Sequence, residues 1–70
     1  MQRHLFTLVS TASGWLLQED GHRRFCFAGH DEALGTARIM AATLHEHHGI
    51  PTAVILEVPG SDPVMVLSHG

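Results

Sequence analysis

An α+β fold, with a small antiparallel sheet of four to five strands and one helix packed on one of its faces, is predicted by three features of this chain. Residues 4–28 hold short runs rich in aromatic and β-branched types, broken by Gly, Ser and Asp. Residues 30–48 switch to a helical period, and residues 52–69 return to two β-prone runs around a Pro/Gly loop. The predicted order is β-β-(β)-α-β-β in a single domain spanning residues 1–70, with no repeat and no linker.

The first strand is "HLFTLVS", and the small, turn-favouring "TASG" behind it closes the run. "GWLLQED" reads as a second strand, ending at Asp20-Gly21, a dipeptide suited to the positive φ of a tight hairpin turn. "RRFCFA" is either a short third strand or an extended approach to the helix. After the helix, "TAVILEV" is the most β-prone run, "PGSDP" is a loop, and "VMVLS" is the last strand. Pro63 at its start removes a ladder donor, so that strand should lie at an edge or start where no donor is required.

The helix is the strongest signal. Ala33, Leu34, Ala37, Met40, Ala41 and Leu44 fall on one stripe of about 120° at 3.6 residues per turn. Gly29 is positioned to cap the N-terminus, and Asp31 and Glu32 put negative charge in the first turn. Gly49 followed by Ile50-Pro51 supplies a left-handed stop and a residue that cannot continue a helix.

A composition of 44% apolar and 16% charged residues argues for a globular chain rather than a disordered one. The formal charge of −3, with four arginines and no lysine, is a poor footing for binding phosphate backbones, which disfavours nucleic acid. No segment approaches membrane-spanning length, and the apolar run near Met1 is too short for a signal-peptide core. The single Cys26 cannot form an intramolecular disulfide, which fits a reducing, cytoplasmic setting, and its place between Phe25 and Phe27 suggests a buried thiol.

Candidate chemistry is sparse. "HEHHG" lacks the two histidines four apart that a zinc-protease helix needs, because Gly49 stands four after His45. His45 and His48, three apart, form the candidate metal pair; the competing reading is imidazoles that complement the carbonyl end of the helix, with His48 leaning toward the core stripe and His45 and His47 exposed. His30 lies at the other end, roughly 27 Å away at about 1.5 Å per residue. Arg23 and Arg24 on the hairpin, with His22 and a nearby Arg3, form the candidate nucleic-acid surface, set against an ordinary solvated hairpin. None of Ser10, Ser13, Ser61 and Ser68 has a nucleophile-elbow context, and there is no phosphate-cradling glycine loop. A non-catalytic chain without a cofactor is expected.

One helix covers one face of a small sheet, yet the strands are apolar on both sides. In "LFTLV", "TAVILEV" and "VMVL", alternate positions on each face are hydrophobic. Small domains bury such surplus against a second copy, so a homodimer is expected through the open sheet face or by joined edge strands, with Ile55, Met65 and Leu67 at its interface. Ile39, on the back of the helix with Gly35, Ala42 and Glu46, is a further interface candidate. Another macromolecular partner, not identified by the residues, completes the expectation of a binding or accessory module.

"SGWLLQEDG", "FAGHDEALGTARIMA" and "TAVILEVPG" together resemble the small bacterial family called domain of unknown function 2188. The resemblance spans roughly Ser13 to Gly60 and implies a ββαββ architecture. It further implies Trp15 as a sheet anchor, Glu32, Ala33 and Leu34 as the first helical turn, and Ala37, Arg38 and Ala41 as mid-helix positions. The chain departs from the family's pattern at Gly29, at Gly35 and in the histidine-rich helix end.

Overall fold

The computed structural model describes residues 3–21 and 23–70, and of residue 23 only the main chain. Five strands and one helix follow in the order β1 (His4–Thr11), β2 (Gly14–Glu19), β3 (Arg23–Phe27), α1 (His30–His48), β4 (Thr52–Glu57) and β5 (Val64–His69). "RRFCF" is thus a strand of its own, paired antiparallel with β2. The helix packs on one face of a single sheet ordered β3-β2-β1-β4-β5.

The sheet is mixed, which corrects the expectation of an all-antiparallel one. β1 pairs antiparallel with β2 but parallel with β4, from His4 opposite Thr52 to Val9 opposite Glu57. The reason is directional. Each element reverses the chain, so α1 runs back across the sheet and β4 starts at the same end as β1. Inserting β4 beside β1 therefore makes that pair parallel, a crossover that needs an intervening helix.

Cross-strand partners share a face, so the registers assign every side chain. On the helix side lie Phe6, Leu8, Trp15, Leu17, Phe27, Val54, Leu56 and Leu67. Phe6, Leu8, Leu17 and Val54 are fully buried with Ala33, Ala37 and Ala41; Trp15, Phe27, Leu34, Met40, Leu44, Leu56 and Leu67 pack around them. All six residues of the predicted stripe are in this core. Its three fully buried helical members are alanines, whose methyl groups let the helix axis lie close to the sheet.

Local signals explain the boundaries. Asp20 and Gly21 both take positive φ, 53° and 79°, in the β2–β3 turn. Gly14, at φ 144°, brings its α-carbon so near β3 that a Cβ would lie 2.4 Å from the Phe27 carbonyl oxygen. Gly29 is extended and caps α1 with its carbonyl, which accepts from the Ala33 N–H at 3.2 Å. Gly49 stops the helix in the left-handed region, donating its N–H to the His45 carbonyl at 3.0 Å. Thr52, buried at the start of β4, donates its hydroxyl to the Ala41 carbonyl at 3.1 Å and ties the strand to the helix.

β5 lies at the sheet edge, the first of the two placements that Pro63 allows. Its pairing shifts between Val54 and Ile55: Leu67 faces Val54, while Met65 faces Ile55. That bulge puts Leu67 on the helix side and Met65 on the open side, so the simple alternation that would place the two together fails.

Candidate functional site

The open side of the sheet has no covering element among the described residues. Across its middle run Arg24, Gln18, Thr7, Ile55 and Met65, one from each strand, and beside that row run Cys26, Leu16, Val9 and Glu57. Leu5 and Ala53 form a third pair. Ala53 is fully buried by its neighbours, whereas Leu5 is 40% and Met65 52% exposed. Leu5, Val9, Leu16, Ile55 and Met65 surround Thr7 and Gln18, and Arg24 and Glu57 stand exposed on the two flanks, neither with an ion pair to another described residue.

Cys26 belongs to this surface and is exposed, which corrects the expected buried thiol. Phe25 and Phe27 point to the helix side through their partners Leu17 and Trp15, so strand alternation sends Cys26 the other way, opposite Leu16.

The four interface candidates divide between two places that meet at β5. Ile55 and Met65 are register partners on the open face. Ile39, 69% exposed, and Leu67 line a concavity of about 430 Å³ between α1 and β5, with Gly35, Arg38, Ala42 and His69.

The histidine cluster is not arranged as its spacing suggested. His45 is half-buried and stacks on His69, with ring centroids 5.6 Å apart and planes 23° from parallel. His48 is exposed although its azimuth matches the core stripe, because the chain leaves the helix at Gly49. Structural zinc takes four ligands, and no group of three or more metal-binding side chains occurs among the described residues. The partner of His45 was hidden in sequence because β5 lies more than twenty residues further on; only the strand order reveals it.

The arginines are also separated. Arg3 lies on the β5 side, its guanidinium 3.9 Å from the Met65 sulfur and 3.4 Å from the Gly70 carbonyl. Arg24 is on β3, at the opposite edge. Arg3 precedes the central strand and reaches toward β4 and β5, so it does not join the hairpin; His22 and the Arg23 side chain lie outside the described residues. All aromatic side chains of the strands face the helix, which leaves the open face without a stacking platform for bases.

On the helix side, His4 Nε2 lies 2.9 Å from Glu19 Oε2, and the His4 ring packs against Phe6 at 5.2 Å. Trp15 meets the His30 ring edge-on at 4.8 Å while packing against the core. These contacts tie the first two strands and the helix start together.

Such a scaffold defines a class: a two-layer α+β domain with one helix on a five-stranded mixed sheet and one sheet face uncovered. Among the described residues no helix is long and apolar enough to cross a membrane. Compared with protein-family models, curated proteins and solved structures, the chain matches none.

Proposed function

We propose that this chain is a small non-catalytic binding or accessory module that works as a homodimer in the cytoplasm. The observation that carries the reading is the uncovered sheet face, where Leu5, Val9, Leu16, Ile55 and Met65 form an apolar surround to Thr7 and Gln18 on a 70-residue domain. So small a core gains stability by burying surplus apolar surface against a partner. A second copy is the partner always present.

The distribution of reactive groups supports a binding role over a catalytic one. Cys26 sits opposite Leu16 on an open strand surface, on the side of the sheet away from the helix. An exposed lone thiol suits a reducing compartment. The proposal keeps the likeness to domain of unknown function 2188, supported by Trp15 packed on the sheet and by the Ala33, Ala37 and Ala41 stripe.

Sedimentation velocity on the purified chain tests the reading. A dimer is expected at tens of micromolar, and a species that stays monomeric throughout that range overturns it.

A further inference from the structure

Two surfaces compete for the second copy: the open sheet face, and the β5 edge with the adjoining helix flank, where Val64 and Ile39 are exposed. Area separates them. An axis between β1 and β2 overlaps four of the five strands, which at about 4.8 Å apart and six residues long at about 3.3 Å each give roughly 400 Å² in projection per copy. Side chains standing off that plane bring a face-to-face pair to about the 1,000 Å² that a specific interface must clear. An edge-to-edge pair of β5 strands buries a strip one strand wide, well short of that. The β5 edge also carries a bulge and begins after Pro63, two features that discourage strand pairing.

Charge placement makes the same choice and fixes where the axis falls. Val9 and Leu16 are register partners on adjacent strands β1 and β2. Arg24 lies one strand beyond Leu16, on β3, and Glu57 one strand beyond Val9, on β4. Each is therefore about 1.5 strand spacings, or roughly 7 Å, from a line between Val9 and Leu16. A twofold axis there exchanges the two flanks, bringing Arg24 of each copy toward Glu57 of the other. The offset of two residues along the strands is within the reach of an arginine side chain and the ~30° angle at which twisted sheets pack.

Resting on the homodimer reading above, we infer that two copies pack open face to open face about a twofold axis through the Val9–Leu16 pair, with Arg24 and Glu57 forming two reciprocal ion pairs across the interface. A twofold contact is self-complementary by construction, so opposite charges on the two flanks of the buried patch are what it requires. These two charges select the register of the sandwich, and the apolar side chains of Leu5, Val9, Leu16 and Ile55 supply the adhesion.

Charge reversal tests the assignment on the full chain. Arg24→Glu and Glu57→Arg are each expected to raise the dimer dissociation constant by about tenfold or more, since each turns two attractions into two repulsions. The double variant is expected to return to within about threefold of the parent, because the pairs are rebuilt with their signs exchanged. Val64→Lys on the β5 edge, whose partner Leu56 puts it on the helix side, is the contrasting change and is expected to leave association unaltered. A dimer insensitive to both reversals, or two reversals whose effects simply add, overturns the inference. Dissociation by Val64→Lys alone also overturns it, while leaving the homodimer reading intact. A monomeric parent chain overturns that reading itself.

Discussion

The three buried alanines of α1 set the distance between helix and sheet, and enlarging one measures how tightly that distance is held. Ala37 lies at the middle of the stripe with no exposed surface, packed in the cluster of Phe6, Leu8, Leu17 and Val54. Ala37→Leu adds apolar atoms that would contribute about 2 kcal/mol of burial if space existed. With none, the helix must lift or its neighbours must leave their rotamers, at a net cost of about 1–3 kcal/mol. A domain of this size is stable by only about 3.5–10 kcal/mol, and each kilocalorie moves the melting temperature by about 4–8 °C. The expected fall is therefore about 5–20 °C. Ala42→Leu is the internal control, because Ala42 lines the concavity beside β5 and its side chain has room to grow. That variant is expected to melt within about 3 °C of the parent, its added burial offsetting the slightly poorer helix propensity of leucine. Both melts are followed by circular dichroism at one protein concentration, since dimerisation makes the midpoint concentration-dependent. Equal shifts for the two variants, or an Ala37→Leu chain more stable than the parent, would refute the account of a closely seated helix.

Two more substitutions probe the joints of the fold. Gly14→Ala places a Cβ 2.4 Å from the Phe27 carbonyl oxygen at a φ of 144°, and a loss of about 2 kcal/mol or more is expected in urea denaturation; an unchanged midpoint would contradict the close β2–β3 approach. Thr52→Val keeps the shape but removes the hydroxyl that binds the Ala41 carbonyl, and is expected to cost about 1 kcal/mol with faster amide exchange at the helix end; no change in either would dissociate the bond from stability.

The helix was legible because one physical requirement, burial of a single stripe, repeats along it from Ala33 to Leu44, and because Gly49 is a local stop. Strand identities were legible for similar reasons: β-branched and aromatic runs, and Asp20-Gly21 at a turn. Relationships between distant segments were not. Nothing local in "TAVILEV" says that it will lie beside β1 rather than beside β3, so the parallel pair escaped the sequence reading. The same blindness hid His69 behind His45, and Glu57 across the sheet from Arg24. Cys26 is the instructive intermediate case. Alternation between Phe25 and Phe27 already required it to face away from them; the error lay in treating their side of the sheet as its side. The bulge in β5 is a further departure, since one inserted residue reverses the alternation on which the faces of Met65 and Leu67 were assigned.

The parallel pairing of β1 and β4 also has a consequence for the chain during its synthesis. β1 is made first and ends at the centre of the sheet. Its antiparallel neighbour β2 follows at once, but its other edge has no partner until the whole of β3 and α1 has been made and β4 has appeared. Until then Phe6 and Leu8, later among the most deeply buried residues, belong to a strand with one open ladder. Val54, which completes the pairing of Phe6, must come from the far side of the helix. Strand centrality and order of manufacture thus pull in opposite directions here. The strand most enclosed in the finished sheet is the one whose free edge is displayed longest to other nascent chains.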